Sequence, residues 1–145
     1  MTMKDAVAKF TKDNDHVALG GFTVSRNPIA FAHEIIRQKK RGLHVYMHSG
    51  SQALDLLIGA GCVSGVEIAY GANGRFATTC VRFRKAIERG AIIFEDYSNY
   101  QMVLRFMAGA MGVPFLPTKS GLGTDIVQKW GISKSKRANK KKFAS

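Results

Sequence analysis

The stretch DNDHVALGGFTVSRNPIAFAHEIIRQ, Asp13 to Gln38, decides how this chain is read. His16 to Leu19 is a short apolar run suited to a buried strand. Gly20, Gly21 and Phe22 follow, then the polar tetrapeptide Thr23 to Arg26, then Asn27 and Pro28. Proline fits the first position of a helix, with Asn27 as its cap. Ile29, Phe31, Ala32, Ile35 and Ile36 then line one face of a helix running to about Gln38. A strand that breaks into a glycine pair before a helix is either a tight turn or a loop that lets the main chain approach a ligand and aim N–H groups at an anion. Arg26 is either a solvated charge or a grip on a carboxylate or phosphate.

The same alternation recurs downstream. Met3, Ala6, Val7 and Phe10 have helical spacing behind Thr2, a candidate N-cap. LHVYM (Leu43–Met47) reads as a second strand, followed by HSGS and a helix capped by Ser49 or Ser51. VEIAY (Val66–Tyr70) reads as a third strand, followed by GANG and a helix from Thr78 to Arg89 that Gly90 stops. AIIFE (Ala91–Glu95) reads as a fourth strand, and Ser98 caps a helix from Asn99 to about Met111. Pro114 and Pro117 keep VPFLP extended. Four strand–loop–helix units predict an α/β fold with an open, mainly parallel, Rossmann-like sheet and helices on both faces. The loops Gly20–Asn27, His48–Ser51, Gly71–Gly74 and Thr118–Thr124 all emerge at the carboxyl edge, where open α/β sheets bind ligands.

Composition narrows the function classes. The 145 residues are 46% hydrophobic and 22% charged, which suits one globular domain. The longest nearly apolar run, Phe106 to Pro117, is too short to span a bilayer. Met1 to Lys12 has no secretory pattern. The formal charge of +12 invites a nucleic-acid reading, but Lys134, Lys136, Arg137, Lys140, Lys141 and Lys142 carry half of it. The remaining 133 residues hold +6, so the basic balance belongs largely to a terminal run expected to be a solvated tail. The expected division is therefore a domain over residues 1–133 and a flexible basic tail over 134–145.

Few residues carry a local chemical pattern. The loop lacks GxGxxG, and no GKS or GKT closes a P-loop. Cys62 and Cys80 fit no metal spacing and read as free thiols of a cytoplasmic protein. His44 and His48 are four apart, but along a strand that is about 13 Å, too far for one ion, so no metal site is expected. Asp55 and Glu67 read as ordinary carboxylates. Glu95 ends the fourth strand and points toward the loop edge or pairs with a nearby base. Asp96, next to it, points toward the same edge or helps to cap the next helix. Ser120 to Gly123 (SGLG) is either a second backbone nest or a turn. No Ser-His-Asp or Cys-His signature is present.

The pieces together resemble family I coenzyme A transferases. The family signature has an Asp/Asn and a Gly/Asn, two variable residues, three apolar residues, Gly-Gly-Phe, and a proline six residues later. Asp13, Asn14, Val17, Ala18, Leu19, Gly20, Gly21, Phe22 and Pro28 occupy these positions. The usual glycine two residues before the proline is Arg26 here, which is similar to the glutaconate CoA-transferase branch. RFRKAIERG (Arg82–Gly90), FEDYSNY (Phe94–Tyr100), GVPFLP (Gly112–Pro117) and WGISK (Trp130–Lys134) match the same branch in order.

The resemblance implies an α subunit with a β-subunit partner, and acyl-CoA and a small carboxylic or dicarboxylic acid as substrates. It implies no cofactor beyond the CoA thioester substrate. It places the nucleophilic glutamate on the β subunit, with none in this chain. Gly20, Gly21, Phe22, Arg26, Ser49, Ser51 and Ser120 become the substrate-binding candidates, with Arg26 for the acid's second carboxylate. Such α subunits run to on the order of 300 residues, so the chain is expected to be an N-terminal portion. Two alternatives remain. One is a ring-opening CoA-thioester hydrolase on the same fold, with Glu95 as its acid. The other is an inactive, truncated basic module that binds a partner or nucleic acid.

Overall fold

The computed structural model describes residues 1–76 and 79–128. Helix α1 (Met3–Phe10) starts at a capping box, in which the Thr2 hydroxyl accepts the Asp5 N–H and the Asp5 carboxylate answers the Thr2 N–H. Then come β1 (His16–Ala18), α2 (Ile29–Arg37), β2 (Leu43–Gly50), α3 (Gln52–Gly59), β3 (Val63–Gly71), α4 (Val81–Glu88), β4 (Ile93–Asp96), α5 (Asn99–Met111) and a short α6 (Asp125–Gln128). All four strands are parallel and lie in the order β1-β2-β3-β4. Right-handed crossovers in sequential order place α2, α3 and α4 on one face. They pack side by side there, with α1 against α2. Helix α5 covers β2 and β3 from the other face, so the fold is the expected parallel α/β sheet with helices on both sides.

The two faces differ in chemistry because strand residues alternate. Val45, Met47, Val66 and Ile68 turn toward Ala32, Ile35, Leu54 and Leu57 to form the apolar core. Phe83 of α4 meets Phe94 of β4 edge to face at 5.6 Å. The intervening residues build a polar layer beneath α5. His16 stacks on His44 at 5.0 Å. The His44 ring is 2.8 Å from Glu67 Oε1, Arg105 of α5 pairs with the other Glu67 oxygen, and the same guanidinium lies over Tyr97 and Tyr46.

Glu67 has the clearest electrostatic consequence. Burial works to raise its carboxyl, but hydrogen bonding to His44 and the Arg105 charge outweigh burial and hold it down at about 2. A folded value below the unfolded one, about 4.3, means the stabilisation is complete above that unfolded value. It is lost as pH falls toward 2. Glu67→Gln is expected to cost about 2 kcal/mol at pH 7, less than a fully buried pair because Arg105 is 34% exposed. Melting temperatures of the two proteins should converge as pH falls from about 5 to about 2. A pH-independent offset would show that the ion pair is not the source of the stability.

Several element boundaries differ from the sequence expectation. β2 continues through His48, Ser49 and Gly50 because Ser49 and Gly50 still pair with Tyr70 and Gly71. β3 begins three residues early for the same reason, its first residue pairing with Leu43. α2 begins at Ile29, and Pro28 occupies the cap position with no side-chain bond. Asn27 is therefore not the cap of α2. The fourth helix begins at Val81, with Cys80 as its cap; Thr78 lies outside the described residues. α5 matches its expected range and starts at a second capping box, Ser98 with Gln101. It ends at Gly112 with φ +68°. The outer side of α5 leaves Tyr100, Val103, Met107 and Met111 exposed. WGISK and the basic run over 134–145 lie outside the described residues. Among the described residues, no helix is long and apolar enough to cross a membrane.

Candidate functional site at the carboxyl edge

The Gly-Gly-Phe loop leaves β1 and folds back on itself. Phe22 and Ser25 exchange both main-chain hydrogen bonds at 2.9 Å, with Thr23 and Val24 at the tip. The loop also extends the sheet edge, since Phe22 bridges to Ser49 and the Thr23 N–H donates to the Ser49 carbonyl at 3.3 Å. Phe22 is 51% exposed and its ring stacks on His48 at 5.9 Å. The two glycines differ. Gly21 has φ +101°, and a Cβ there would stand 2.7 Å from the Arg26 carbonyl oxygen. Gly20 has open space where its Cβ would be. The N–H groups of both glycines have no hydrogen-bond partner among the described residues.

Two further residues of this loop occupy the left-handed region, Thr23 at φ +48° and Arg26 at φ +55°. A β-branched residue there is a genuine outlier, and each non-glycine residue costs about 1 kcal/mol or more. This explains why glycine suits the position two residues before the proline: the backbone is left-handed there, and Arg26 holds it against its own preference. The Arg26 side chain is exposed and has no hydrogen-bond or ion-pair partner among the described residues.

The remaining site candidates fall into different places. Ser49 is 2% exposed, with its hydroxyl 2.8 Å from the His48 ring nitrogen. Ser51 is fully buried and its hydroxyl donates to the Thr23 carbonyl at 2.7 Å. It stands at the cap position of α3 without capping it. Both serines therefore shape the loop from behind. Ser120 sits at the other end of the edge, 3.4 Å from the Ser98 hydroxyl, with its carbonyl accepting from Gln101 at 2.9 Å. β1 and β4 are the two outer strands among the described residues, so roughly 14 Å of sheet separates the strand that leads into Gly20 from the strand that leads to Ser98, beside which Ser120 sits. Glu95 is 1% exposed, faces the α5 side beside Glu67, and accepts from the Tyr97 hydroxyl. Burial pushes the Cys80 thiol up to about 11, which keeps it protonated at neutral pH. A groove lined by Ile29, Gln52, Asp55, Leu56, Asn73 and Arg82 opens at the starts of α2 and α3.

The described residues form a parallel α/β layer whose carboxyl edge carries a strained Gly-Gly-Phe loop, with two N–H donors and an arginine that have no partner among the described residues. The chain belongs to the coenzyme A transferase family: the profile described as Coenzyme A transferase matches residues 1–143. It is 41% identical over 137 residues to the A subunit of glutaconate CoA-transferase from Acidaminococcus fermentans, covering 94% of this chain and 43% of that relative. It is 37% identical over 129 residues to the A subunit of 3-oxoadipate CoA-transferase from Pseudomonas knackmussii, covering 87% of this chain and 45% of that relative. The crystal structure of the glutaconate coenzyme A-transferase from A. fermentans superposes with a TM-score of 0.89 at 40% identity, covering 96% of this chain and 44% of that one. The chain thus spans less than half the length of these relatives.

Proposed function

We propose that the chain serves as part of a CoA-transferase α subunit that, with a β subunit, moves CoA from an acyl-CoA to a small dicarboxylic acid. The observation that carries this reading is Arg26: exposed, without a partner among the described residues, and held at a costly φ on the edge loop. In the proposed reaction a β-subunit glutamate oxygen attacks the thioester carbonyl and CoA leaves as thiolate, giving a mixed anhydride. The thiolate then attacks the glutamyl carbonyl and expels the first acid as carboxylate. The second acid's carboxylate attacks the resulting enzyme thioester, and CoA leaves again as thiolate. The thiolate attacks the acyl carbonyl of the new anhydride and frees the glutamate. This chain's residues hold and orient. The Gly20 and Gly21 N–H groups offer donors to a carbonyl oxygen gaining charge, and Arg26 takes the acid's distal carboxylate.

Glu95 supports the transferase reading over the ring-opening hydrolase. A carboxyl that works on a ring carbon must reach it, and Glu95 is buried under Tyr97. Co-expression with the A. fermentans β subunit, followed by transfer of CoA from acetyl-CoA to glutaconate, tests the reading. Transfer requiring both chains is expected. A pair that neither transfers CoA nor binds glutaconate would sink it.

A further inference from the structure

Asn27 has the spacing of a helix cap, yet its side chain works elsewhere. Its amide nitrogen donates to the Thr23 carbonyl and to the Ser51 hydroxyl. Its amide oxygen accepts the Ala53 N–H at 3.1 Å. Ala53 lies in the first turn of α3, so Asn27 caps α3 from a different loop. That leaves Ser51, the local cap residue, to bond Thr23 instead. One amide thus ties the loop after β1 to the start of the helix after β2, and it grips the carbonyl of the residue at φ +48°. Arg26, at φ +55°, is its immediate neighbour in the chain.

We propose that Asn27 is a positioning residue for Arg26: by fixing the Thr23 carbonyl and the α3 N-terminus together, it sets the direction from which Arg26 meets the acid. The inference rests on the transferase reading and adds a residue to it. Only an amide fits the arrangement, because the site needs donors on one atom and an acceptor on the other. Aspartate keeps the acceptor for Ala53 but turns a carboxylate oxygen toward the Thr23 carbonyl. Alanine removes all three bonds.

The test compares Asn27→Ala, Asn27→Asp, Arg26→Ala and the Asn27→Ala/Arg26→Ala double variant, each paired with the β subunit. Glutaconate and butyrate serve as a dicarboxylic and a monocarboxylic acceptor. Asn27→Ala is expected to raise KM for glutaconate about tenfold (one tenfold step being about 1.4 kcal/mol) while kcat and the butyrate KM change less than about twofold. Asn27→Asp should fall between alanine and wild type. In the Arg26→Ala background Asn27→Ala should add little, because coupled residues are not additive. Amide exchange over residues 21–27 should quicken in Asn27→Ala. Equal KM rises for both acids, or full additivity with Arg26→Ala, overturn the positioning role while the transferase reading stands. A wild-type pair that binds no glutaconate overturns the reading, and the inference with it.

Discussion

Gly21→Ala is expected to destabilise the protein by about 3 kcal/mol, lowering Tm by roughly 6–12 °C for a chain of this size. Two costs combine. Alanine at φ +101° is strained by about 1–2 kcal/mol. Its methyl would also stand 2.7 Å from the Arg26 carbonyl oxygen and 3.3 Å from the Arg26 carbonyl carbon. Both are backbone atoms, so no rotamer change relieves the contact. The loop must open instead, which breaks the Phe22–Ser25 pair and the grip of Asn27 on Thr23. Transfer activity should fall with stability.

Gly20→Ala is the control that gives this result its meaning. Nothing lies within 4 Å of the added methyl and the backbone is not left-handed. Stability should stay within about 0.5 kcal/mol of wild type, as at other uncrowded surface positions. A drop in acyl-CoA binding in that variant would then report a clash with ligand rather than with protein. Thermal unfolding of both variants separates the cases, and an unchanged Tm for Gly21→Ala would refute the described loop geometry.

Most of the architecture is legible in the sequence because it rests on local signals. Apolar runs alternate with helical periodicity, and Thr2, Ser98, Gly90 and Gly112 punctuate the helices by their own side-chain or backbone chemistry. The boundaries that shift are those fixed by neighbours. His48, Ser49 and Gly50 look like a turn in isolation and become strand because β3 and Phe22 pair with them. The site is less legible for the same reason. Gly20, Gly21 and Arg26 advertise an edge loop, yet only the fold shows that Gly21 is required by the backbone of Arg26 and that Gly20 is not. The roles of Asn27 and Ser51 depend on partners more than twenty positions away. Their preference for cap positions hides that, since Asn and Ser in these places have an adequate local explanation. The register of Glu67 with Glu95 sets two carboxyls side by side under α5. A strand-end carboxylate read alone gives no sign of this.

Arg26→Gly should separate stability from activity. Glycine adopts φ +55° without strain, so the loop gains about 1 kcal/mol in the folded state and loses part of that through greater unfolded-chain freedom. Tm should stay level or rise by about 1–3 °C. Affinity for a dicarboxylic acceptor should nevertheless fall about 100-fold, the effect of losing a charge-assisted contact worth about 3 kcal/mol. A monocarboxylic acceptor has no distal carboxylate to lose, so its KM should hold within about threefold, roughly 0.65 kcal/mol. The substitution thereby converts selectivity rather than abolishing catalysis. Arg26→Lys keeps the charge but not the planar fork, and it retains the strained φ. It should be intermediate for the dicarboxylic acid and no more stable than wild type. KM values for glutaconate and butyrate, measured with Tm for all three proteins, decide the matter. Equal losses on both acids would mean that Arg26 acts on something common to them, such as CoA or the loop itself, and not on the second carboxylate.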